Sequence, residues 1–528
     1  MSKIDEFAGV RAPRSPVYGM KRMVVSGHSL ASLAGLRVLE SGGSLTDAMI
    51  ATSAALCVVL PHATSLGGDA FIIHHDAASG RTEGLNASGP APAGATCEVF
   101  KDGMVAHGPL AATVPGIVRG WEEMHRRHGR LAWADLFHPA ITLARHGHPL
   151  SRVLANALIL FRDTVAKDPG CSALYMPGGV AMKAGDVVYQ PALAETLEDI
   201  AEAGSAAYYE GRIARSIGDY SRKAGGLLSA RDFDGYAPEW VEPLATNYRG
   251  LKVRVMPPTS YGYLMLMQLN GLEGIAPDAL NGGDADRLAY LISAARGAFA
   301  EGQGYICDPS AHPFPTDELL GEATTARLQG LVRDAIPGPP RAHAAGGTST
   351  ITLADAEGNA IAVVQSVFHV FGAAFLDPGT GVLLNNRMTG FVTDPEHPNV
   401  VAPGKRPAHT LNPVMVTDHG KIRYLLSSPG GPAQTITNVQ VLTNLVDRGL
   451  ELSLAVDAPR WSLNSAGEAL LEEEFGDDIA DELGRRGHPV GRSSGASYFG
   501  SAKCIEVLPS GVLCGAADGR REGFAAGT

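Results

Sequence analysis

The stretch PGPPRAHAAGG, from about 336 to 347, constrains this chain more than any other. Its prolines lack the amide hydrogen that a helix or a sheet ladder needs, so regular structure has to stop on one side and restart on the other. Before it, from about 105 to 335, leucine and alanine recur near the helical period in GIVRGWEEMHRRHG, WADLFHPAITLARHG, PALAETLEDIAEAG and RLAYLISAARGAFAEG. VRVMPPTSYGYLMLMQL reads as a strand that turns at paired prolines and enters a helix. After the break the period becomes two. In STITLAD, Thr350, Thr352 and Ala354 share one parity and Ile351 and Leu353 the other, and the EGN turn returns the chain through AIAVVQSVF. PVMVTD, RYLLSS, CIEVLP and VLCGAAD continue the strand pattern around one helix, TITNVQVLTNLVDRG. Helices first and strands last predict an α/β layered sheet covered by helices.

The opening fits the same scheme. Leu33, Leu36 and Leu39 lie at helical spacing, Gly42 and Gly43 stop that helix, and Ser44 can cap the next, whose Ala48, Ala51, Ala54 and Ala55 form a small-residue face. TSLGGDAFIIHHDAASGRTEGLNA then predicts a glycine turn and a hairpin. No composition break marks an independently folding domain.

Charge and cysteine usage narrow the function classes. Lys and Arg total 43 against 55 Asp and Glu, a net charge of -12, which argues against nucleic acid or an anionic membrane as partner. Six cysteines at 57, 97, 171, 307, 504 and 514 show no metal-ligand pairing, and only Cys504 and Cys514 are close enough to suggest a local pair. The first stretch is too polar and proline-broken for a secretory signal, and no apolar run is long enough to span a membrane. A cytoplasmic enzyme is the expectation. His74-His75 and His125 with His128 lack ligand spacing, so neither metal nor organic cofactor is expected.

Chemistry is concentrated around the break. If the Gly347-Thr348 bond were cut, Thr348 would carry a hydroxyl and a free α-amine, with an ordinary pKa of about 8, able to act as base for its own hydroxyl. Gly346 and Gly347 would allow the tight geometry in which that hydroxyl attacks the preceding carbonyl. The same pentapeptide also suits a plain loop-to-strand boundary. Folding around Glu357-Gly358-Asn359 returns Ser366 opposite Thr348 and Ser349, where it can bond the nucleophile. Ser427-Ser428-Pro429-Gly430-Gly431 joins a strand to a helix, a turn whose amides can converge on an oxyanion. Between the two, Arg387 offers a guanidinium fork for a carboxylate or dicarbonyl, Asn385 and Asn386 can fix turns, and His409 and Thr410 can contact substrate.

In order along the chain, SGGSLTDAMIA, SLGGDAF, VPGIVRG, QPALAETL, GGTST with DAEGNAIA, LLNNRM, KRPAHTLNP, SSPGG and GAADGRREG make the sequence resemble the gamma-glutamyltranspeptidase family of N-terminal-nucleophile hydrolases. The resemblance implies a four-layer alpha-beta-beta-alpha fold and self-cleavage into a large subunit, 1-347, and a small subunit, 348-528. The two would form one composite domain and a heterodimer from one precursor, with association of two such heterodimers left open. Thr348 would be the nucleophile, Ser366 its hydroxyl-bearing neighbour, and Gly430 and Gly431 the oxyanion glycines. The departures concern recognition: Ser88 stands for the family's carboxylate-binding arginine, Phe368 for an asparagine, Gly390 for an acid, and His409 and Thr410 for paired serines. With Arg387 in the place of glutamine, the pattern is similar to the divergent branch that includes oxamate amidohydrolase. The expected activity is hydrolysis of a small amide beside a carboxylate or dicarbonyl, through a threonyl acyl-enzyme. The alternatives are a gamma-glutamyl hydrolase or transferase with altered recognition, a related hydrolase of carbon-carbon bonds in secondary metabolism, and a noncatalytic binding protein of the same fold.

Overall fold

The computed structural model describes residues 14–335, 347–464, 466–494 and 499–528. The proline-rich connection at 336–346 lies outside the described residues.

Two seven-stranded antiparallel sheets face one another. One runs, edge to edge, through Val17–Gly19, Leu513–Ala517, Lys503–Val507, Lys421–Ser427, Val414–Asp418, Leu251–Val255 and Leu244–Tyr248. The other runs through Phe524–Gly527, Arg22–Ser26, Gly347–Asp355, Ala360–Phe368, Asp69–Asp76, Arg81–Ala87 and Glu239–Val241. Alternation decides what each face touches. Ile351 and Leu353 pack with the helices of the first half, while Ala354 packs with Met415, Leu425 and Ile505 of the facing sheet. The helices Gly262–Glu273, Asp284–Gly302 and Ala433–Val446 cover the other sheet through Val253, Val255, Val414 and Leu426. Each fully buried aliphatic side chain in these three clusters contributes roughly 1.5–3 kcal/mol. Helix, sheet, sheet and helix make four layers, the expected alpha-beta-beta-alpha fold.

Local signals act as the sequence predicts. Ser44 accepts from the Asp47 amide at 3.1 Å, and Asp47 accepts from the Ser44 amide at 2.8 Å, a capping box that starts Leu45–Val59. Residues 69–76 and 81–87 pair as a hairpin. The region from about 105 to 335 is mostly helical, with the expected strand at Leu251–Val255 and the edge strands Glu239–Val241 and Leu244–Tyr248 beside it. One expectation needs correction. Cys504 and Cys514 are both free, because antiparallel register places Cys504 opposite Ala516 and Cys514 opposite Glu506. No helix among the described residues is long and apolar enough to cross a membrane.

Candidate active site

The hairpin register brings Thr348 to Ser366. Residues 347–355 and 360–368 pair from Ala354-Ala360 to Ser349-Gln365, then slip at a bulge so that Gly347 faces Phe368. Inside that bulge the Thr348 hydroxyl donates to Ser366 Oγ at 3.1 Å, and the Ser366 hydroxyl donates to the Gly347 carbonyl at 2.5 Å. Ser366 Oγ also accepts from the Phe368 amide at 2.7 Å. Its one donor and two acceptor positions are thereby all used. Both side chains are buried. The Gly347-Thr348 peptide therefore has its hydroxyl neighbour and a donor to its carbonyl already in place.

The glycine turn follows the strand Lys421–Ser427 and precedes the helix Ala433–Val446. Gly430 and Gly431 have φ of +138° and +59°, values that favour glycine. Their carbonyls accept from the Ala433 and Gln434 amides at 3.2 and 3.1 Å, which anchors the turn to the first turn of the helix. Ser428 Oγ accepts from the Ser501 amide at 3.2 Å and donates to the Pro429 carbonyl at 3.0 Å, tying the turn to the segment that leads into the strand Lys503–Val507.

Arg387 is fully buried, with its guanidinium carbon 4.3 Å from the centre of the Phe368 ring and Nε 3.6 Å from Asp69 Oδ2. None of its three guanidinium nitrogens has a hydrogen-bond partner. Burial pulls its pKa down to about 9 against the attraction of Asp69. Burial likewise pushes Asp69 up to about 7, with Arg387 and the Gly89 amide opposing. His409 Nε2 lies 3.3 Å from the same Asp69 oxygen. Burial, then Arg387, holds its pKa well below the usual imidazole range, so the ring is neutral. Asp69 is the member that sequence reasoning missed. It opens an apolar strand some 300 residues from its partners, and its position in SLGGDAF was the only signal.

The remaining candidates divide by what their polar atoms already hold. Asn385 Oδ1 accepts from Thr113 N, Thr113 Oγ1 and Arg387 N, and its amide donates to the carbonyls of Gly67 and Thr113. Asn386 accepts from the His369 amide and donates to the Ala106 carbonyl. Both asparagines thus brace the Arg387 turn. Ser88 donates to Asn86 Oδ1 at 2.6 Å, and its carbonyl accepts from Arg406 Nε at 3.0 Å. Thr410 Oγ1, in contrast, is buried without a partner. Phe368 has φ of +81°, a left-handed backbone that costs a non-glycine residue on the order of 1–3 kcal/mol.

A set of ligand-type side chains does assemble elsewhere, contrary to the sequence spacing. His74, Glu83 and His128 lie within 4.8 Å of one another because adjacent strands and a helix converge there. The two imidazoles are stacked face to face at 4.0 Å, so their in-plane lone pairs do not converge on a common point. Glu83 already pairs with His128 at 3.0 Å, Arg81 at 3.1 Å and Arg127 at 3.3 Å. This is the geometry of an ion-pair network rather than of a metal centre.

Comparison with known proteins adds the wider frame. The family profile described as Gamma-glutamyltranspeptidase matches residues 31–528. The glutathione hydrolase-like YwrD proenzyme of Bacillus subtilis (strain 168) is 34% identical, over 97% of this chain and 99% of its own length. The oxamate amidohydrolase proenzyme of Klebsiella pneumoniae is 32% identical, over 96% of this chain and 98% of its own. The crystal structure of a cephalosporin acylase from Bacillus halodurans superposes with a TM-score of 0.91 at 32% identity, covering 98% of each chain.

Proposed function

The chain belongs to the gamma-glutamyltranspeptidase family of self-processing N-terminal-nucleophile hydrolases, and from that premise we propose that it cuts itself before Thr348 and then hydrolyses a small amide beside a carboxylate or dicarbonyl group. The observation that carries this reading is the hydrogen-bond chain from Thr348 through Ser366 to the Gly347 carbonyl.

Self-cleavage follows from that chain. Thr348 Oγ1 attacks the Gly347 carbonyl carbon while the Ser366 hydroxyl meets the developing oxyanion. The C–N bond breaks, the Thr348 nitrogen takes the proton, and an ester joins Gly347 to Thr348 Oγ1. Water then hydrolyses the ester, leaving a large subunit, 1–347, and a small one, 348–528. In the mature site the Thr348 amine accepts the proton of its own hydroxyl as oxygen attacks the substrate carbonyl. The Gly430 and Gly431 amides stabilise the tetrahedral oxyanion, a contribution of about 2.7–4 kcal/mol for one such donor in other enzymes. Ser366 orients the nucleophile. Collapse expels ammonia or an amine, and water releases the acyl group. No step in this sequence draws on a metal or an organic cofactor.

Arg387 supports the carboxylate or dicarbonyl preference. A buried guanidinium without hydrogen bonds calls for an anion, and Asn385 and Asn386 hold it in place. His409 and Thr410 border the same region, and Phe368 would have to swing from the guanidinium for an anion to reach it. The relative named for oxamate agrees with this preference, although a relative named as glutathione hydrolase-like is slightly more similar, at 34% against 32% identity. A gamma-glutamyl substrate is the second reading, favoured by the relative named as glutathione hydrolase-like and weakened by Ser88, Phe368 and Gly390 in the places of recognition residues.

Intact-protein mass spectrometry tests the first half. Wild type should give two fragments, the smaller beginning at Thr348, and Thr348→Ala should stay whole. Identical processing of both at another bond would overturn the nucleophile. Incubation of processed protein with oxamate, gamma-glutamyl anilide and glutathione tests the second half. Glutamate release without turnover of oxamate would reverse the substrate order.

A further inference from the structure

Between the two sheets lies an amine that the chemistry above leaves idle. Lys503 has the parity of Ile505, which packs with Met415 and Leu425 in the inter-sheet core, so the two side chains share one face of their strand. Lys503 is buried. Its stem ends near the strand Arg22–Ser26 of the opposite sheet, since a Cβ built on Gly523 would lie 2.9 Å from Lys503 Cε and 3.5 Å from the Ser26 carbonyl oxygen. Burial pulls its pKa down to about 7, opposed by Asp518 and Cys504 and assisted by Arg521 and Arg460. Nζ donates to the Ser501 carbonyl and to Ser501 Oγ, both at 2.7 Å, and among the described residues it makes no ion pair. An apolar side chain would fill the same space without the desolvation cost of an amine.

The residue that the amine holds leads to the oxyanion turn. The Ser501 amide donates to Ser428 Oγ, and the Ser428 hydroxyl donates to the Pro429 carbonyl. That carbonyl and the Gly430 N–H belong to one planar peptide, so fixing the first sets the direction of the second. Gly500, with φ of +71°, rests against the same turn. A Cβ there would collide with Ser428 Oγ and stand 2.7 Å from the Pro429 carbonyl oxygen, and one on Gly430 would lie 3.7 Å from Gly500 Cα. Residues 500 and 501 thus form the support on which the turn sits, and Lys503 ties down both the carbonyl and the hydroxyl of Ser501.

We propose that Lys503 is a positioning residue for the oxyanion turn, acting through Ser501 and Ser428 to aim the Gly430 N–H at the tetrahedral oxyanion. The inference rests on the reading that the Gly430 amide receives that charge, and it names what orients the amide. Lys503 itself passes no proton to substrate.

Hydrogen exchange reads the turn without any substrate. Lys503→Met keeps the length of the side chain and removes its donors. In the uncut Thr348→Ala background, peptides covering 427–434 should exchange at least about 10-fold faster once Lys503→Met is added, with the hairpin 347–368 unchanged. The urea midpoint at pH 7 should not fall, because a buried amine has been removed. Unchanged exchange at 427–434 overturns the proposal, and so does faster exchange in both segments with a lower midpoint, the mark of a merely structural lysine. Kinetics of the processed proteins with gamma-glutamyl anilide and oxamate then read the chemistry. Lys503→Met should lower kcat at least about 10-fold with KM within about 2-fold, against about 100–1,000-fold for outright loss of an oxyanion donor. Ser428→Ala should act alike, and the double variant should fall no more than about 2-fold below the lower single, since both cut one path. Losses that multiply, or a wild-type kcat in Lys503→Met, overturn the positioning role and leave the proposed reaction standing. Faster exchange at the turn in a protein whose wild type hydrolyses neither compound does the reverse.

Discussion

Arg460 and Arg520 clasp Asp518 and Glu472 at 2.5 to 3.2 Å, whereas Arg387 stands 3.6 Å from Asp69 with no hydrogen bond at all. Both groups are buried and both consist of guanidinium and carboxylate. In the first, Arg520 uses Nε on Glu472, one terminal nitrogen on Asp518 and the other on Glu472 and the Ala458 carbonyl. Burial would raise Asp518, but Arg460 and Arg520 hold it well below the usual carboxylate range. In the second, burial wins, so Asp69 rises and Arg387 falls. The contrast separates a closed cluster, whose carboxylates are hydrogen-bonded by two arginines, from one left open at Asp69, opposite Ser366 on the neighbouring strand, and an open cluster is where an outside anion gains most.

Breaking the closed cluster should have the larger effect on stability. Asp518→Asn leaves two buried guanidinium groups short of charge, and removal of one partner of such a pair costs about 3–5 kcal/mol. Urea unfolding in the uncut Thr348→Ala background would measure it on a single chain. Arg387→Met should change stability by no more than about 1 kcal/mol at pH 6, because Asp69, relieved of its partner, keeps its proton. Its effect belongs to turnover instead, where loss of the anion partner should lower kcat/KM for a carboxylate-bearing amide by the equivalent of about 2–5 kcal/mol. Equal destabilisation by both substitutions would remove the distinction between the clusters.

The pH dependence of stability sharpens the same contrast. Asp69 has a folded pKa raised to about 7 from 3.8, so the stability it contributes is complete below about pH 3.8 and is lost as pH rises toward 7. Asp518 is depressed, so its contribution is present above its unfolded value and is lost as pH falls. His62 and His74, lowered to about 3 mainly by burial, oppose Asp69 by favouring the fold as pH rises toward 6.5. The readout is therefore a difference between proteins. From pH 4 to 7, wild type should lose at least about 1 kcal/mol relative to Asp69→Asn. Parallel profiles would mean that Asp69 is ionised throughout.

How much of this was legible in the sequence depends on distance along the chain. The meeting of Thr348 with Ser366 is local to one hairpin, and the turn at Glu357-Gly358-Asn359 sets their register to within a residue. The glycine turn was legible for the same reason, since strand, turn and helix are consecutive. The switch of hydrophobic period at the proline-rich break predicted helices covering a layered sheet, and the count of four layers came from the family resemblance. Asp69 was not legible as the partner of Arg387 and His409, because only the packing of separate strands and loops joins them. Nor could the sequence say that Arg387 would be buried under Phe368, or that Asn385 would use its whole amide on Gly67, Thr113 and Arg387 itself.

The smallest expected effect lies at Phe368, where two terms oppose. Its ring over the guanidinium stabilises by about 0.5–2 kcal/mol, while its left-handed backbone costs on the order of 1–3 kcal/mol. Asparagine tolerates that backbone better and cannot stack in the same way. Phe368→Asn should therefore leave stability within about 1 kcal/mol of wild type. It should also uncover the cation. Phenylglyoxal, which modifies accessible guanidinium groups, should leave Arg387 untouched in wild type and label it in the variant, as read by peptide mapping. Labelling of both alike would show that the aromatic ring does not shield Arg387, and the open cluster would then be open in wild type without any movement of Phe368.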